Sequence, residues 1–181
     1  GGSLCRASII TLEEDQMKIS QIHRKWIGQE LNKYLNKVVG TTDVDYVIAS
    51  DTDSVYLRLD KLVEKIFPQK TDTKSVVDFL DKSAEELIIP FIDKKFKELA
   101  DMMNAYENKM QMGREVIADK GIWTAKKRYI LNVYNNEGVQ YAKPKIKVMG
   151  LEMIKSSTPS AIRERMWDSV ALMMTGTEND V

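Results

Sequence analysis

Two aspartates separated by one residue are the strongest chemical feature of this sequence. Asp51 and Asp53 lie in a run rich in turn formers, residues 50–54, between two β-favouring runs at 46–48 and 55–57. The pattern predicts a β-hairpin with both carboxylates exposed at its tip. Carboxylate oxygens suit Mg²⁺, which often takes one or two of them together with substrate phosphates. The turn therefore favours a divalent cation and a phosphorylated substrate.

The spacing alone is weak evidence for such a site. A second D-x-D pattern, Asp43 and Asp45, falls in what is interpreted as an ordinary polar loop. The context distinguishes the first pattern, because strand-forming residues precede and follow it. Sugar-nucleotide transferases also hold a divalent cation with this pattern, so that class stays open at this point.

Composition limits the remaining possibilities. The 181 residues include 43% hydrophobic and 30% charged side chains, which is typical of a globular domain. A single cysteine excludes an internal disulfide framework, and no apolar run approaches the ~18 residues of a membrane span. The formal net charge is zero, but residues 41–119 sum to −6 and residues 120–155 to +6. The basic stretch is interpreted either as a surface for a polyanion or as local fluctuation.

Periodicity predicts the elements that must position these residues. Spacings of three and four indicate helices over residues 17–39, ended by Gly40, and over 74–106, with a kink or a break at Pro90. Ser157-Thr158-Pro159 is typical of a third helix start. Alternation predicts strands, joined in part by a turn at 135–138, over residues 116–118, 128–134, 140–141 and 145–148. The predicted fold class is α+β, with helices packed against an antiparallel sheet around the acidic hairpin.

Three motifs in order resemble family B DNA polymerases. Residues 50–56, SDTDSVY, are similar to motif C, which the family usually writes YGDTDS. Residues 126–129, KKRY, are similar to its primer-binding motif, and residues 145–159 to the strand and helix entry that lead from palm to thumb. The order and distances resemble replicative polymerases of large tailed bacteriophages most closely, from about residue 8 to the end.

The resemblance implies a two-metal phosphoryl transfer to a primer 3′ end during viral DNA replication. Asp53 matches the motif C carboxylate that contacts both Mg²⁺ ions, and Asp51 matches its partner. Glu115 matches a further carboxylate close to the metal site and is expected to be catalytic. Thr52 and Ser54 fall at positions expected to contact the incoming nucleotide.

The same resemblance implies contacts to primer–template DNA. Lys126, Lys127, Arg128 and Tyr129 match phosphate and minor-groove contacts, with Lys145, Lys147 and Lys155 as weaker candidates for the DNA backbone. If residues 126–129 form a strand, Lys127 and Tyr129 lie on one face and the other two on the opposite face. Alternation likewise places Lys145 and Lys147 on one face of a strand.

The sequence also departs from the family pattern. Ala49-Ser50 replaces the usual Tyr-Gly, which bears on rate or fidelity, and Gly113 stands where the family often has Asp. Neither the motif A aspartate nor the helix that grips the incoming nucleotide occurs. We therefore expect a fragment that is inactive alone and needs the missing N-terminal part of the polymerase.

The expected organisation has three parts. Residues 1–7 are expected to be an end segment, residues 8–155 the C-terminal part of the palm, and residues 156–181 the start of the thumb. Within the palm, the metal hairpin spans 44–59 and the primer-binding strands 115–149. Further expectations are a sliding clamp as partner of the full protein, no membrane association and a location in the bacterial host cytoplasm. A DNA-binding module without catalysis is the main alternative, and a sugar-nucleotide transferase the second.

Overall fold

The computed structural model describes residues 7–12, 21–51, 54–69 and 71–175. Among these residues, a six-stranded sheet is formed in which each neighbouring pair of strands runs antiparallel. Helices pack against it, so the predicted α+β class is confirmed. The strands lie side by side in the order β2, β3, β1, β4, β5, β6, and they are β1 (Ala7–Leu12), β2 (Val47–Asp51), β3 (Ser54–Arg58), β4 (Met112–Ala125), β5 (Arg128–Asn136) and β6 (Val139–Met149).

The described residues also form five α-helices. They are α1 (Gln21–Val39), α2 (Asp60–Ile66), α3 (Thr73–Ser83), α4 (Ile89–Met102) and α5 (Ser160–Thr175). A π-helical segment, Ala84–Ile88, joins α3 directly to α4 just before Pro90. Because proline has no N–H to donate to the preceding turn, a local change of helix type is the expected response. The predicted irregularity at Pro90 is confirmed in this form.

The sheet has two faces with different coverings. The helix-covered face is packed against α1 to α4 through buried residues such as Leu31, Leu80, Ile92 and Ile117. The strand-only face carries a second buried cluster, to which the described helices contribute no residue: Tyr56, Val116, Ala118, Tyr129, Leu131 and Val133, with Ile48, Ala49, Trp123 and Tyr141 at its border.

The last helix packs beneath the far end of the sheet. Val170 and Met174 of α5 bury Ile130 of β5 together with Met153 of a 3₁₀ turn, Glu152–Ile154. Ile130 alternates along β5 with Tyr129 and so lies on the side opposite to the strand-only face. None of the helices in the described ranges has the length and apolar character needed to cross a membrane.

Candidate metal hairpin and nucleic-acid interface

The acidic hairpin is formed by β2 and β3. Asp51 ends β2, Ser54 begins β3, and the two are register partners. The predicted hairpin is therefore confirmed in its strands, which extend further towards the tip than expected. Thr52 and Asp53 lie outside the described residues, and only the backbone of Asp51 is described. Their assignments as metal and nucleotide ligands remain predictions.

A row of register partners connects this hairpin with the rest of the sheet. Asp51 is paired with Ser54, Ser54 with Thr11 of β1, and Thr11 with Gly113 of β4. Ser54 is only 5% exposed, so its side chain is enclosed by protein. Three strand spacings separate β2 from β4, or about 14 Å along the sheet. In the described part of the chain, no three His, Cys, Asp or Glu side chains come together as a metal site.

Behind the hairpin, three aromatic rings join its strand to the basic motif. The ring of Tyr56 on β3 lies 5.7 Å from that of Trp123 and 5.6 Å from that of Tyr129, both at steep angles. Gly121 makes room for this cluster, because a Cβ there would lie 2.5 Å from the Trp123 ring. Tyr129 is 7% exposed, so its ring packs within the protein. Its predicted DNA contact is limited to the small exposed part of the side chain.

The predicted strand begins at Arg128, as expected, and strand geometry does not extend back over the first two residues of the basic motif. Lys126 and Lys127 form the two-residue turn between β4 and β5, and Lys127 has a φ of 61°. Strand alternation therefore does not apply to them, and both side chains are exposed at a tip. Gly150 packs against this turn so closely that a Cβ would collide with the Lys127 carbonyl oxygen. Within the described structure, neither lysine forms an ion pair, so both are available to an anion.

The other end of the basic motif is already paired with an acid. Glu152 accepts a hydrogen bond of 2.7 Å from the Lys155 ammonium, and its Oε1 lies 4.0 Å from Nη2 of Arg128. The hydrogen bond from Lys155 is the main reason that the pKa of Glu152 lies below its usual range. All three side chains are about half exposed. They form a solvated charge cluster in which a phosphate would compete with a carboxylate.

The two lysines of β6 lie on the strand-only face. Lys145 is paired with Val133 and Lys147 with Leu131, and both partners belong to the strand-only cluster. The prediction that both share a face is confirmed. The Lys145 ammonium lies 4.1 Å from the centre of the Tyr141 ring, a cation–π contact that directs it along the edge of the sheet.

Glu115 occupies a β-bulge in β4. Ile9 of β1 is paired with Val116 and Ile10 with Arg114, so Glu115 is the extra residue between them. Its carboxylate accepts a hydrogen bond from the Lys147 ammonium at 2.5 Å. Lys147 lies on the strand-only face, so the bulge directs Glu115 to that face beside Val116. Two predicted site residues are thereby brought together, but as an ion pair with each other.

The preceding residue fixes the bulge from the other side. Arg114 is buried, and its guanidinium forms an ion pair with Asp81 of α3 and donates to Asn135 of β5 at 2.8 Å. Nη1 of Arg114 also donates to the Glu115 carbonyl oxygen at 3.4 Å. The same oxygen accepts a second hydrogen bond, from the Glu137 N–H, at 2.6 Å. Arg114 was not among the predicted site residues. The sequence gives no signal that singles it out, since Glu115, Asp119 and Lys120 are also charged residues of β4.

A cavity of about 520 Å³ lies near the β5–β6 turn. Burial is the main cause that raises the pKa of Tyr134 in its wall, and Asp119 nearby raises it further. None of the predicted site residues is among its described lining, which consists of Thr73, Lys74, Tyr134, Gln140, Tyr141 and Ala142.

Comparison with known proteins gives this arrangement a context. The chain is 45% identical over 163 residues to the DNA-directed DNA polymerase of Escherichia phage RB69. It is 40% identical over 173 residues to the DNA-directed DNA polymerase of Enterobacteria phage T4. The resemblance to bacteriophage DNA polymerases is confirmed. No protein-family model matches the chain.

The similarity covers most of this chain but a small part of the polymerases. The aligned segments include 85% and 89% of this chain, and they amount to 18% and 19% of the two relatives. The chain thus spans about a fifth of the length of the polymerases that it matches. The activity and partners of a whole polymerase are therefore a matter of proposal for this chain.

Proposed function

We propose that this chain is the C-terminal part of the palm and the start of the thumb of a family B DNA-directed DNA polymerase. In such an enzyme it would contribute to adding deoxynucleotides to a primer 3′ end. The observation that carries the proposal is the 45% identity over 163 residues to a phage DNA polymerase. The acidic hairpin and the basic β4–β5 turn support it, because they lie on one sheet that an approaching duplex could span.

The carboxylates suit the cofactor of this reaction. Asp51, the last residue of β2, and Asp53, two positions later in the sequence, offer two hard oxygen donors, which fits Mg²⁺. These residues would hold the metal together with a carboxylate from outside this chain. Bound Mg²⁺ supplies charge stabilisation for phosphoryl transfer. The hairpin itself would orient the carboxylates, with the enclosed Ser54 fixing where β3 begins.

The exposed turn at Lys126 and Lys127 is the best candidate for duplex contact. Replacing both with Gln should weaken binding to a primer–template duplex about tenfold, and should reduce the slope of log K against log salt by about 1.8, since each phosphate contact contributes about 0.9. Fluorescence anisotropy over a salt series measures both. Lys94→Gln/Lys97→Gln is the matched control, because these exposed lysines lie on α4, on the helix-covered side. Equal losses in the two double variants would contradict the assignment of the turn.

Catalysis requires a separate experiment. The chain alone should not extend a primer, because two carboxylates without a third do not hold both metals. Adding the N-terminal part of a phage polymerase should restore extension, and Asp53→Asn should abolish it while duplex affinity stays within about twofold. Extension by the isolated chain would contradict the fragment proposal. Duplex binding without any restored extension would favour the alternative of a DNA-binding module without catalysis.

A further inference from the structure

The ion pair between Glu115 and Lys147 bridges two strands that are not neighbours. Glu115 belongs to β4 and Lys147 to β6, with β5 between them, and the two residues are 32 positions apart in sequence. The bond lies on the strand-only face and is partly open to solvent, since the side chains are 23% and 31% exposed. Water and other ions therefore reach both partners.

An ion pair in this setting is readily exchanged. Exposed pairs contribute little net free energy, because each partner is also well solvated and salt screens their attraction. A backbone phosphate presents the same kind of oxygen acceptor to an ammonium as a carboxylate does. The Lys147 ammonium can therefore change from Glu115 to a phosphate at small cost.

The neighbouring residues indicate which partner stays in place during such an exchange and which one moves. Lys145 stands two positions earlier on the same face, held against the Tyr141 ring, and has no carboxylate partner in the described structure. Arg114, buried against Asp81, holds the Glu115 bulge in place. Glu115 is thus the fixed partner, whereas Lys147 is carried on a long, flexible side chain at a sheet edge.

We propose that Glu115 occupies the place of a DNA phosphate on Lys147, and that duplex binding displaces it. The inference rests on the proposed function, because it requires that the chain binds primer–template DNA. In the free chain, Glu115 masks the contribution of Lys147 to DNA affinity. In the complex, Lys147 contacts a phosphate, and the Glu115 carboxylate is released on the same face.

A double-mutant cycle in duplex binding tests the displacement. Glu115→Gln should tighten binding of a labelled primer–template duplex about fivefold, since it removes the competitor for Lys147. Lys147→Met should weaken binding by less than about twofold in the unaltered chain but by about fivefold in the Glu115→Gln background. The matched control is Glu137→Gln, which removes an exposed carboxylate beside the same bulge that has no lysine partner in the described structure.

The outcomes separate this inference from the proposed function. Equal effects of Lys147→Met in both backgrounds, or equal tightening by Glu115→Gln and Glu137→Gln, would overturn the displacement. Failure of the unaltered chain to bind duplex at low salt would overturn the proposed function and the displacement with it.

Thermal unfolding of the same four variants without DNA shows whether they fold. It should give a non-additive change in Tm of about 1–3 °C if the pair forms in the free chain, and an additive result would overturn the pair itself.

Discussion

Arg114 and Glu115 are neighbours in sequence, yet each forms an ion pair on a different side of the sheet. Both pairs have a closest N–O distance of 2.5 Å. The surroundings differ. On the helix-covered side, the Arg114 side chain is 4% exposed, and Asp81 is 35% exposed. On the strand-only side, Glu115 and Lys147 are 23% and 31% exposed.

The comparison shows that distance does not decide the role of an ion pair. A buried guanidinium that loses its acid stays as an uncompensated charge, so the pair on the helix-covered side has to be kept. A partly solvated pair can be replaced by water or by another anion at little cost. Strand alternation sends Arg114 and Glu115 to opposite faces, and the bulge places Glu115 on the same face as the next residue, Val116.

The largest expected effect is on the helix-covered side. Asp81→Asn should lower the free energy of unfolding by about 2–3 kcal/mol, since the buried charge of Arg114 loses its counter-charge. The value lies at the low end for such pairs because Asp81 is partly solvated. Equilibrium unfolding in urea measures it. The control is Glu86→Gln. Glu86 lies on the π-helical segment that follows α3 and forms a mostly exposed ion pair with Lys82, so this change should lower the free energy of unfolding by less than about 0.5 kcal/mol. A similar loss in both variants would remove the distinction between the two sides.

The next largest expected effect is a loss of stability at the Lys126–Lys127 turn between β4 and β5. Gly150→Ala should cost about 1–3 kcal/mol, because Gly150 has a φ of 66° and its new Cβ would collide with the Lys127 carbonyl oxygen. Gly113→Ala is the control, since no atom lies within 4 Å of a Cβ there. Urea unfolding of both variants gives the comparison. If Gly150→Ala is as stable as Gly113→Ala, Gly150 does not support the Lys126–Lys127 turn.

Local patterns predict some elements well and others poorly. The hairpin of β2 and β3 and the irregularity at Pro90 are predictable because their signals lie within a few residues. The seven-residue helix α2 is not, since it contains fewer than two turns of periodic pattern. Nor is the turn at Lys127 predictable from local pattern, because lysine rarely adopts the positive φ found there. The compensating contact comes from Gly150, which is distant in sequence.

The candidate site divides in the same way. The types of its residues, acidic at Asp51 and basic at Lys126, can be recognised in the sequence, and so can the shared face of the β6 lysines. The pairing of Glu115 with Lys147 cannot, since it depends on a bulge and on the register of three strands. A shift of register by one residue would have placed Glu115 on the helix-covered side. Non-local pairing therefore decides which charges remain open to a ligand.

The smallest effect is again on the helix-covered side, at the start of α3. Asp72 caps this helix by accepting hydrogen bonds from the Ser75 N–H at 2.9 Å and from the Ser75 hydroxyl at 2.8 Å. These bonds, the backbone one first, hold the pKa of Asp72 below its ordinary value of 3.8. The charged form is favoured in the folded state, so the cap stabilises the chain above that value. Its contribution is lost as the pH falls through the lowered pKa.

Asp72→Ala should therefore lower Tm at neutral pH, by less than Asp81→Asn does, because the group is fully exposed. The difference in Tm from the unaltered chain should shrink as the pH is lowered through the acidic range, which thermal unfolding at a series of pH values measures. Asp72→Asn is the matched control, since asparagine caps a helix without titrating, and its difference should change less with pH. If the difference in Tm for Asp72→Ala did not change with pH, the ionised carboxylate would not be what stabilises the start of α3. The two ends of α3 would then differ, because the Arg114–Asp81 pair near its last residue depends on charge.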